Sequence, residues 1–248
     1  MLNLKKSKRK SVKKIKKVGI YVAHDDDLIL GAGGRIVQHI KKGDCVFAVI
    51  FTDGRNSHKS VLGIKENPSV FAVGKKRKEE IKKAARILGI SKEKLYFLKL
   101  TNGEGRVFEN FEEAKKLVEE ITEKEKPDLI YFHYPDGHRD HRAVSKIVTD
   151  LMKKIKFKGR AYQFIIWSKE LSENRKELDY EIAPQIPKKV VEVDIKNELP
   201  LKRKALFQMK SQVNVWPYLD WSIQEKPILE KKLIEHFLKN KEIFIRVK

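Results

Sequence analysis

The sequence predicts an α/β protein with a Rossmann-like, mainly parallel sheet and helices on both faces. Short apolar runs alternate with amphipathic stretches along most of the chain, a pattern typical of βαβ units. Reactive side chains directly follow several of these runs, where an open α/β sheet collects its ligands. The chain has 248 residues and no linker rich in Gly, Ser or Pro, so we expect one large domain with one sheet.

Five short apolar runs predict the strands. Each is bounded by polar or amphipathic stretches and is too short for a typical helix. The first run stops at a His-Asp-Asp-Asp sequence, and the second leads through Thr-Asp-Gly into a long polar loop. In chain order the predicted strands are 18–23, 45–51, 95–98, 129–132 and 162–167.

Amphipathic stretches between these runs predict the connecting helices. The clearest of them spans 76–88. Its residues Ile81, Ala84 and Leu88 recur at helical spacing and therefore share one face. Gly89 stands just past the end of this stretch, as is common after helices. In chain order the predicted helices are about 32–41, 76–88, 111–124 and 141–154.

The chain is strongly basic, with 55 Lys and Arg against 34 Asp and Glu and a net charge of +21. Residues 1–17 carry nine Lys or Arg and no acid, and we predict that they form a flexible basic extension to a single domain at 18–248. A solvated tail is the simplest interpretation, and contact with nucleic acid or an acidic membrane is the alternative. The remaining residues still carry +12.

The cysteine content and the apolar runs exclude several protein classes. Cys45 is the single cysteine, so an internal disulfide, a CxxC metal site and a redox pair are all excluded. No stretch approaches the roughly 20 apolar residues of a membrane helix, and the basic N-terminal region lacks the apolar run of a secretory signal. We therefore expect a reducing, cytoplasmic location.

The first reactive cluster is His24, Asp25, Asp26 and Asp27, on the connection after the first predicted strand. Three consecutive carboxylates repel one another, so something must offset their charge. Helix capping and the helix dipole account for one of them. A divalent cation accounts for all of them together with His24. Both interpretations stay open for this cluster taken alone.

The second cluster is His138, Asp140 and His141, which follows the fourth predicted strand. On a loop that enters a helix, residues spaced by three can face the same side, so both histidines can face one site. One neutral imidazole can bind a metal while the other transfers a proton or stabilises an anion. Together, the two clusters predict a catalytic zinc site with three protein ligands and an open position for water.

At these residues the chain resembles the PIG-L/LmbE family of metal-dependent N-acetylglucosaminyl deacetylases. The family's AHPDDE signature reads AHDDDL at 23–28, and its HPDH signature reads HRDH at 138–141. Weaker similarities follow in the family's order along most of the chain. They are TDG at 52–54, RKEEIKKAARILGI at 77–90, VDI at 193–195 and KALFQMKSQ at 204–212.

The resemblance implies that His24, Asp27 and His141 hold the metal, with Zn²⁺ as the first choice and another divalent transition metal as the alternative. These residue types match the ligands of catalytic zinc sites. The ordered set of motifs therefore predicts a zinc-dependent hydrolase.

The resemblance also implies roles for residues that do not bind the metal. Asp26 would be the general base that takes a proton from the attacking water, and His138 would stabilise the oxyanion or protonate the leaving amine. Asp140 would orient the neighbouring imidazole. Arg77 matches a position associated with substrate binding.

Three residues depart from the family signatures. Asp25 and Arg139 replace prolines, and Leu28 replaces a glutamate. Asp25 adds a carboxylate that can compete for the metal or for the role of base. The predicted ligands are all retained, so we expect an active metal site with an altered substrate preference.

Two function hypotheses follow. The first is a zinc-dependent hydrolase that removes the N-acetyl group from an N-acetylglucosamine-type amino-sugar conjugate. The second is a basic protein that binds nucleic acid or another polyanion on a degenerate deacetylase fold. Zinc content and acetate release distinguish the first, whereas the second predicts an affinity that falls steeply with salt.

The sequence says less about the substrate than about the reaction. The sequence places Arg77, Arg139 and Arg142 beside the predicted site, so we expect an anionic or phosphate-bearing aglycone. The alternative is that these cations are solvated or paired with acids. Trp216 and Tyr218 are equally compatible with a sugar-binding wall and with core packing.

Overall fold

The computed structural model describes residues 15–100, 105–173, 175–176, 178–215 and 224–247. Most of the predicted basic extension, at 1–14, lies outside the described residues, as do Trp216 and Tyr218. Within the described part of the chain, no helix is both long enough and apolar enough to cross a membrane.

The central sheet has seven strands in the order β3-β2-β1-β4-β5-β7-β6. Neighbours among the first five strands in this order pair in parallel, and β7 pairs antiparallel with both β5 and β6. The predicted Rossmann-like, mainly parallel sheet is therefore confirmed. The strands are β1 (Lys17–Val22), β2 (Cys45–Ile50), β3 (Leu95–Phe97), β4 (Leu129–His133), β5 (Arg160–Phe164), β6 (Val191–Asp194) and β7 (Lys241–Arg246).

Helices cover both faces of the sheet. One apolar cluster packs α1, α3 and α7 against one face, and a second cluster packs α4 and α5 against the other. The helices are α1 (Asp25–Lys41), α2 (Ser57–Leu62), α3 (Val70–Leu88), α4 (Phe111–Glu125), α5 (Arg139–Lys154), α6 (Lys169–Ser172), α7 (Leu199–Leu206), α8 (Lys210–Val213) and α9 (Lys231–Phe237).

Helix α1 begins at Asp25, seven residues before the predicted start. Its first turn consists of the three acidic residues, and Asp27 accepts a hydrogen bond from the His24 backbone N–H at 2.9 Å. Carboxylates are favourable at this position because the first turn of a helix has free N–H groups and a positive dipole end. The acidic triplet thus starts the helix and does not lie on a preceding loop.

Two glycines of α1 allow other elements to approach the helix closely. A Cβ atom on Gly31 would lie 2.4 Å from the Phe164 ring, and one on Gly34 would lie 2.7 Å from Ile195. A side chain at either position would displace its neighbour. Helix α1 therefore sits tightly against β5 and the chain that follows β6.

A buried ion pair joins the C-terminal part of the chain to α1. Lys202 Nζ donates to Glu242 Oε1 at 2.8 Å and to the Leu30 carbonyl oxygen at 2.9 Å. The Glu242 carboxylate also accepts the backbone N–H groups of Gly34 and Arg35, at 2.7 and 2.8 Å. Helix α7 and strand β7 are thereby fixed to the helix that carries the acidic triplet.

We expect Lys202→Met to lower the free energy of unfolding by about 3–5 kcal/mol, because it leaves the Glu242 charge buried without its partner. Lys204→Met is the matched control, since Lys204 lies on the same helix and is exposed. Chemical denaturation of both variants measures the difference. Equal stability of the two variants would contradict a structural role for the ion pair.

Candidate functional site

The two reactive clusters meet at the edge of the sheet where the parallel strands end. Strands β1 and β4 are parallel neighbours, with Tyr21 opposite Phe132. The chain after β1 therefore starts α1 beside the loop that leads from β4 into α5. The site forms because β1 and β4, which lie far apart in sequence, are neighbours in the sheet.

Three of the predicted residues bring one donor atom each to a common point. The Asp27 Oδ2 atom lies 3.1 Å from His24 Nδ1 and 3.2 Å from His141 Nε2, and the two nitrogens are 3.3 Å apart. Tetrahedral zinc with ligands at 2.0–2.2 Å requires donor atoms about 3.3–3.6 Å apart. The observed separations of 3.1–3.3 Å lie within about 0.2 Å of this range, so the donor set suits a zinc ion.

Each of the two imidazoles is oriented by a second carboxylate. His141 Nδ1 lies 2.9 Å from Asp136 Oδ2, and His24 Nε2 lies 3.5 Å from Asp140 Oδ2. Asp140 is itself held by the backbone N–H of Val107 at 2.7 Å. Such contacts select the ring nitrogen that faces a metal. Asp140 thus lies where a residue that orients the His24 ring is expected.

Asp136 was not among the predicted site residues. Its carboxylate is completely buried and also accepts the Trp167 backbone N–H at 3.0 Å. The available signal was its place in the Pro-Asp-Gly turn after β4, five residues before His141. That turn is equally typical of an ordinary loop, so the sequence alone did not single it out.

Buried negative charge dominates this cluster. Burial lowers the pKa of His24 and of His141, but the neighbouring carboxylates outweigh burial and raise these pKa values to about 9 and about 10. Asp140 and Asp27 act on His24, and Asp136 and Asp27 act on His141. The arrangement therefore requires positive charge between the rings, and a divalent cation can supply it in place of two protons.

Two more histidines contact the cluster. His133 is completely buried and stacks on His141, with ring centroids 3.9 Å apart, and its Nε2 accepts the Ala23 backbone N–H at 3.0 Å. Burial lowers the pKa of His133 to about 4. The same Nε2 atom lies 3.3 Å from Asp27 Oδ2, so Asp27, His133 and His141 form a second group of donor atoms close enough together to hold a metal ion.

His138 lies on the other side, with its ring centroid 4.7 Å from that of His24. Its Nδ1 accepts the Asp140 backbone N–H at 3.2 Å. Burial, and then the positive charges of His24 and His141, hold the pKa of His138 well below its usual value. A neutral imidazole that accepts at Nδ1 carries its proton on Nε2, so His138 is a hydrogen-bond donor at Nε2.

Asp25 turns away from the donor atoms and binds Arg77. Both side chains are buried, and the Arg77 guanidinium donates to Asp25, to Asp26 Oδ1 at 3.0 Å and to Gln212 Oε1 at 2.7 Å. The carboxylate of Asp25, which replaces the family's proline, is thus paired with the Arg77 guanidinium. Leu28, the other departure on α1, lies in the apolar core.

A pocket of about 590 Å³ opens over the cluster. His24, Asp26, Asp27, His138 and Asp140 line it on the side of the donor atoms. Arginines are prominent in the rest of its lining. They are Arg77, Arg106, Arg139 and Arg175.

Arg142 contacts the loop before α5 and is not one of the residues that line this pocket. Its guanidinium donates to the Asp136 carbonyl oxygen at 2.9 Å and lies 3.7 Å from the Asp179 carboxylate. It therefore braces the loop before α5. Of the three arginines named from the sequence, Arg139 is the one that is exposed beside the pocket.

We expect Asp136→Asn to weaken zinc binding by about 10- to 100-fold, because it removes the charge that orients His141. His141→Ala should abolish zinc retention, since it removes a donor atom. His236→Ala, at a histidine of α9 outside this cluster, is the control. Zinc content after purification and competition with a chelator measure all three. Full retention of zinc by His141→Ala would contradict the assignment.

Comparison with known proteins gives one family match. A family model described as GlcNAc-PI de-N-acetylase, PIG-L, matches residues 20–152, which run from β1 into α5. No protein of curated function matches the sequence.

Solved structures share the fold. N,N'-diacetylchitobiose deacetylase from Pyrococcus horikoshii has 22% identity and a TM-score of 0.63, covering 94% of this chain and 84% of its own. A deacetylase of the teicoplanin biosynthetic pathway has 14% identity and a TM-score of 0.65, covering 94% and 99%.

A third similar structure has a different activity. The 4-carboxy-2-hydroxymuconate hydratase GalB from Pseudomonas putida has 17% identity and a TM-score of 0.64, covering 94% of this chain and 97% of its own. The fold therefore carries more than one chemistry, and the family is shown by the sequence match. With the match spanning more than half of its residues, this chain belongs to the PIG-L family of GlcNAc-PI de-N-acetylases.

Proposed function

We propose that this chain is a zinc-dependent hydrolase that removes the N-acetyl group from an N-acetylglucosamine-type amino-sugar conjugate. The observation that carries the proposal is the triangle of His24, Asp27 and His141 donor atoms, with Asp26 beside it in the same pocket. Family membership supports the reaction class, and the similar deacetylase structures named above support an amide substrate. Another divalent transition metal would suit the same donor set.

When bound, zinc supplies a Lewis acid that polarises the amide carbonyl and acidifies water. Asp26 lines the pocket without belonging to the donor triangle, so its carboxylate can take a proton from the attacking water. The Arg77 contact to Oδ1 fixes the carboxylate, and we assign proton transfer to Oδ2. The same group can then return the proton to the leaving amine, which completes the products acetate and amine.

The family resemblance leaves two roles open for His138, which are stabilisation of the oxyanion and protonation of the leaving amine. Its hydrogen bonds favour one of them. Because Nδ1 accepts from the Asp140 backbone, the neutral ring presents its Nε2 proton as a donor. A donor in this position stabilises the negative oxygen that forms when water attacks the carbonyl. We therefore assign oxyanion stabilisation to His138.

We further propose that the substrate carries an anionic group beyond the amino sugar. Arg106, Arg139 and Arg175 line the pocket on three separate segments. Arg106 also donates to Ser60 Oγ at 3.0 Å, and Arg175 also lies 3.8 Å from the Glu230 carboxylate. Arg139 rests over the Phe108 ring at 4.3 Å and is exposed. Arg77, which was predicted to contact the substrate, also lines the pocket but is buried and paired with Asp25 and Asp26.

The intact donor set argues against the alternative of a degenerate fold that only binds polyanions. A cytoplasmic location, expected from the sequence, forms part of the proposal.

The proposal predicts acetate release from N-acetylglucosamine conjugates, lost on chelation and restored by added zinc. Asp26→Asn should keep zinc bound while kcat falls by about 10²- to 10⁴-fold, the usual scale for acid–base catalysis. Leu30→Val, a conservative change in the pocket lining, is the control. Quantifying acetate and zinc in the same samples separates loss of chemistry from loss of metal. Activity of Asp26→Asn equal to that of the control would contradict the assignment of the base.

A second prediction concerns substrate charge. We expect a higher kcat/KM for conjugates with an anionic aglycone than for matched neutral ones, with a difference that shrinks as salt is raised. Arg139→Gln should reduce this preference and leave the neutral substrate unaffected, because the side chain contacts only the charged group. Equal kcat/KM for both substrates would show that the arginines have no role in selection.

A further inference from the structure

A second charged region lies at the opposite edge of the sheet, where the parallel strands begin. We call it the basal edge. It carries 13 Lys or Arg and four Asp or Glu. Its residues are 15–17, 41–44, 92–94, 124–128 and 153–160.

Backbone hydrogen bonds hold these segments side by side. The Cys45 N–H donates to the Lys16 carbonyl oxygen at 2.8 Å, and the Asp128 N–H donates to the Lys17 carbonyl oxygen at 2.8 Å. The Arg160 N–H donates to the Asp128 carbonyl oxygen at 3.1 Å. The starts of β1, β2, β4 and β5 therefore form one continuous surface, and their lysines share it.

A cleft of about 750 Å³ opens in this surface, between the ends of α4 and α5. Four lysines line it. They are Lys126, Lys154, Lys156 and Lys158. All four are exposed, and Lys154 also pairs with Glu119 at 2.5 Å. Glu119 and Glu123 also line the cleft, so its lining carries a net positive charge of two.

The backbone at two of these lysines is unusual. Lys126 has a φ of 52° and Lys156 a φ of 49°, and they are the two non-glycine residues with positive φ in the described part of the chain. Glycine or asparagine is usual in this left-handed conformation after a helix, because a Cβ atom disfavours it. The sequence instead has lysine at both positions, and both side chains reach the same cleft.

We propose that the basal edge binds the phosphodiester backbone of a nucleic acid without reading its sequence. Lysine ammonium groups bind phosphates as point charges. A strand of phosphates can enter a cleft, whereas a flat bilayer cannot. Among the exposed large apolar side chains of the described residues, Ile15 alone belongs to this edge, which leaves little to insert into a membrane.

The position of the edge is compatible with the proposed hydrolase. The catalytic pocket lies where the strands end, so both regions can be occupied together. Seven further Lys or Arg lie among residues 1–14, directly before Ile15 on the basal edge.

The test measures binding of the full chain to a labelled DNA duplex and to an RNA of the same sequence by fluorescence anisotropy, over a range of salt concentrations. We expect the logarithm of the affinity to fall linearly with the logarithm of salt concentration. Lys126→Gly combined with Lys156→Gly should lower affinity about tenfold or more and reduce the salt slope by about 2, one unit for each phosphate contact. The relative affinity of DNA and RNA then identifies the kind of nucleic acid.

Glycine is chosen because it removes the charge and also suits the left-handed backbone. The melting temperature of this double variant should therefore stay level or rise, which excludes unfolding as the cause of weaker binding. Lys231→Gln combined with Lys232→Gln removes the same charge from α9, away from the edge, and should bind as the unaltered chain does.

Three results would overturn the proposal. They are equal losses of affinity in the two double variants, absence of nucleic-acid binding, and tighter binding to phosphatidylserine vesicles than to nucleic acid. Acetate release should be the same in both double variants, so failure of this proposal and failure of the proposed hydrolase remain distinguishable.

Discussion

Five buried carboxylates at the end of β1 and β4 impose the main constraint on this molecule. Asp25, Asp26, Asp27, Asp136 and Asp140 all have less than a tenth of their surface exposed. Buried charge of this density is unfavourable unless cations or hydrogen bonds compensate it. The positive end of the α1 dipole, the imidazoles and the buried arginine compensate this negative charge. The proposed zinc ion would compensate it further.

The departure from the family's proline shows how one substitution is accommodated within this constraint. Asp25 would add an uncompensated charge, but Arg77 reaches it from α3 and also contacts Asp26. Gln212 from α8 completes the set around the guanidinium. The extra carboxylate is therefore paired with an arginine. The arginine is consequently coupled to the proposed base.

The sequence was sufficient for the parallel sheet, for the four main helices and for His24, Asp27 and His141 as a cluster, because each depends on local patterns or strong motifs. It was insufficient where a single side-chain contact determines the role of a residue. The role of Asp136 depends on its contact with His141 across a turn. The antiparallel strand β7 is fixed by a buried ion pair whose partners lie 40 residues apart. Neither contact produces a periodicity that can be read along the chain.

The two edges of the sheet differ in charge for a common topological reason. In a parallel α/β sheet, the helices begin at the edge where strands end and finish at the edge where strands begin. Helix N-termini favour carboxylates and helix C-termini favour cations. The acidic first turn of α1 and the lysines after α4 and α5 follow this rule. The rule does not require lysine in a left-handed conformation, however. The helix dipole therefore does not account for lysine at positions 126 and 156, where φ is positive, and this observation supports the proposed binding surface.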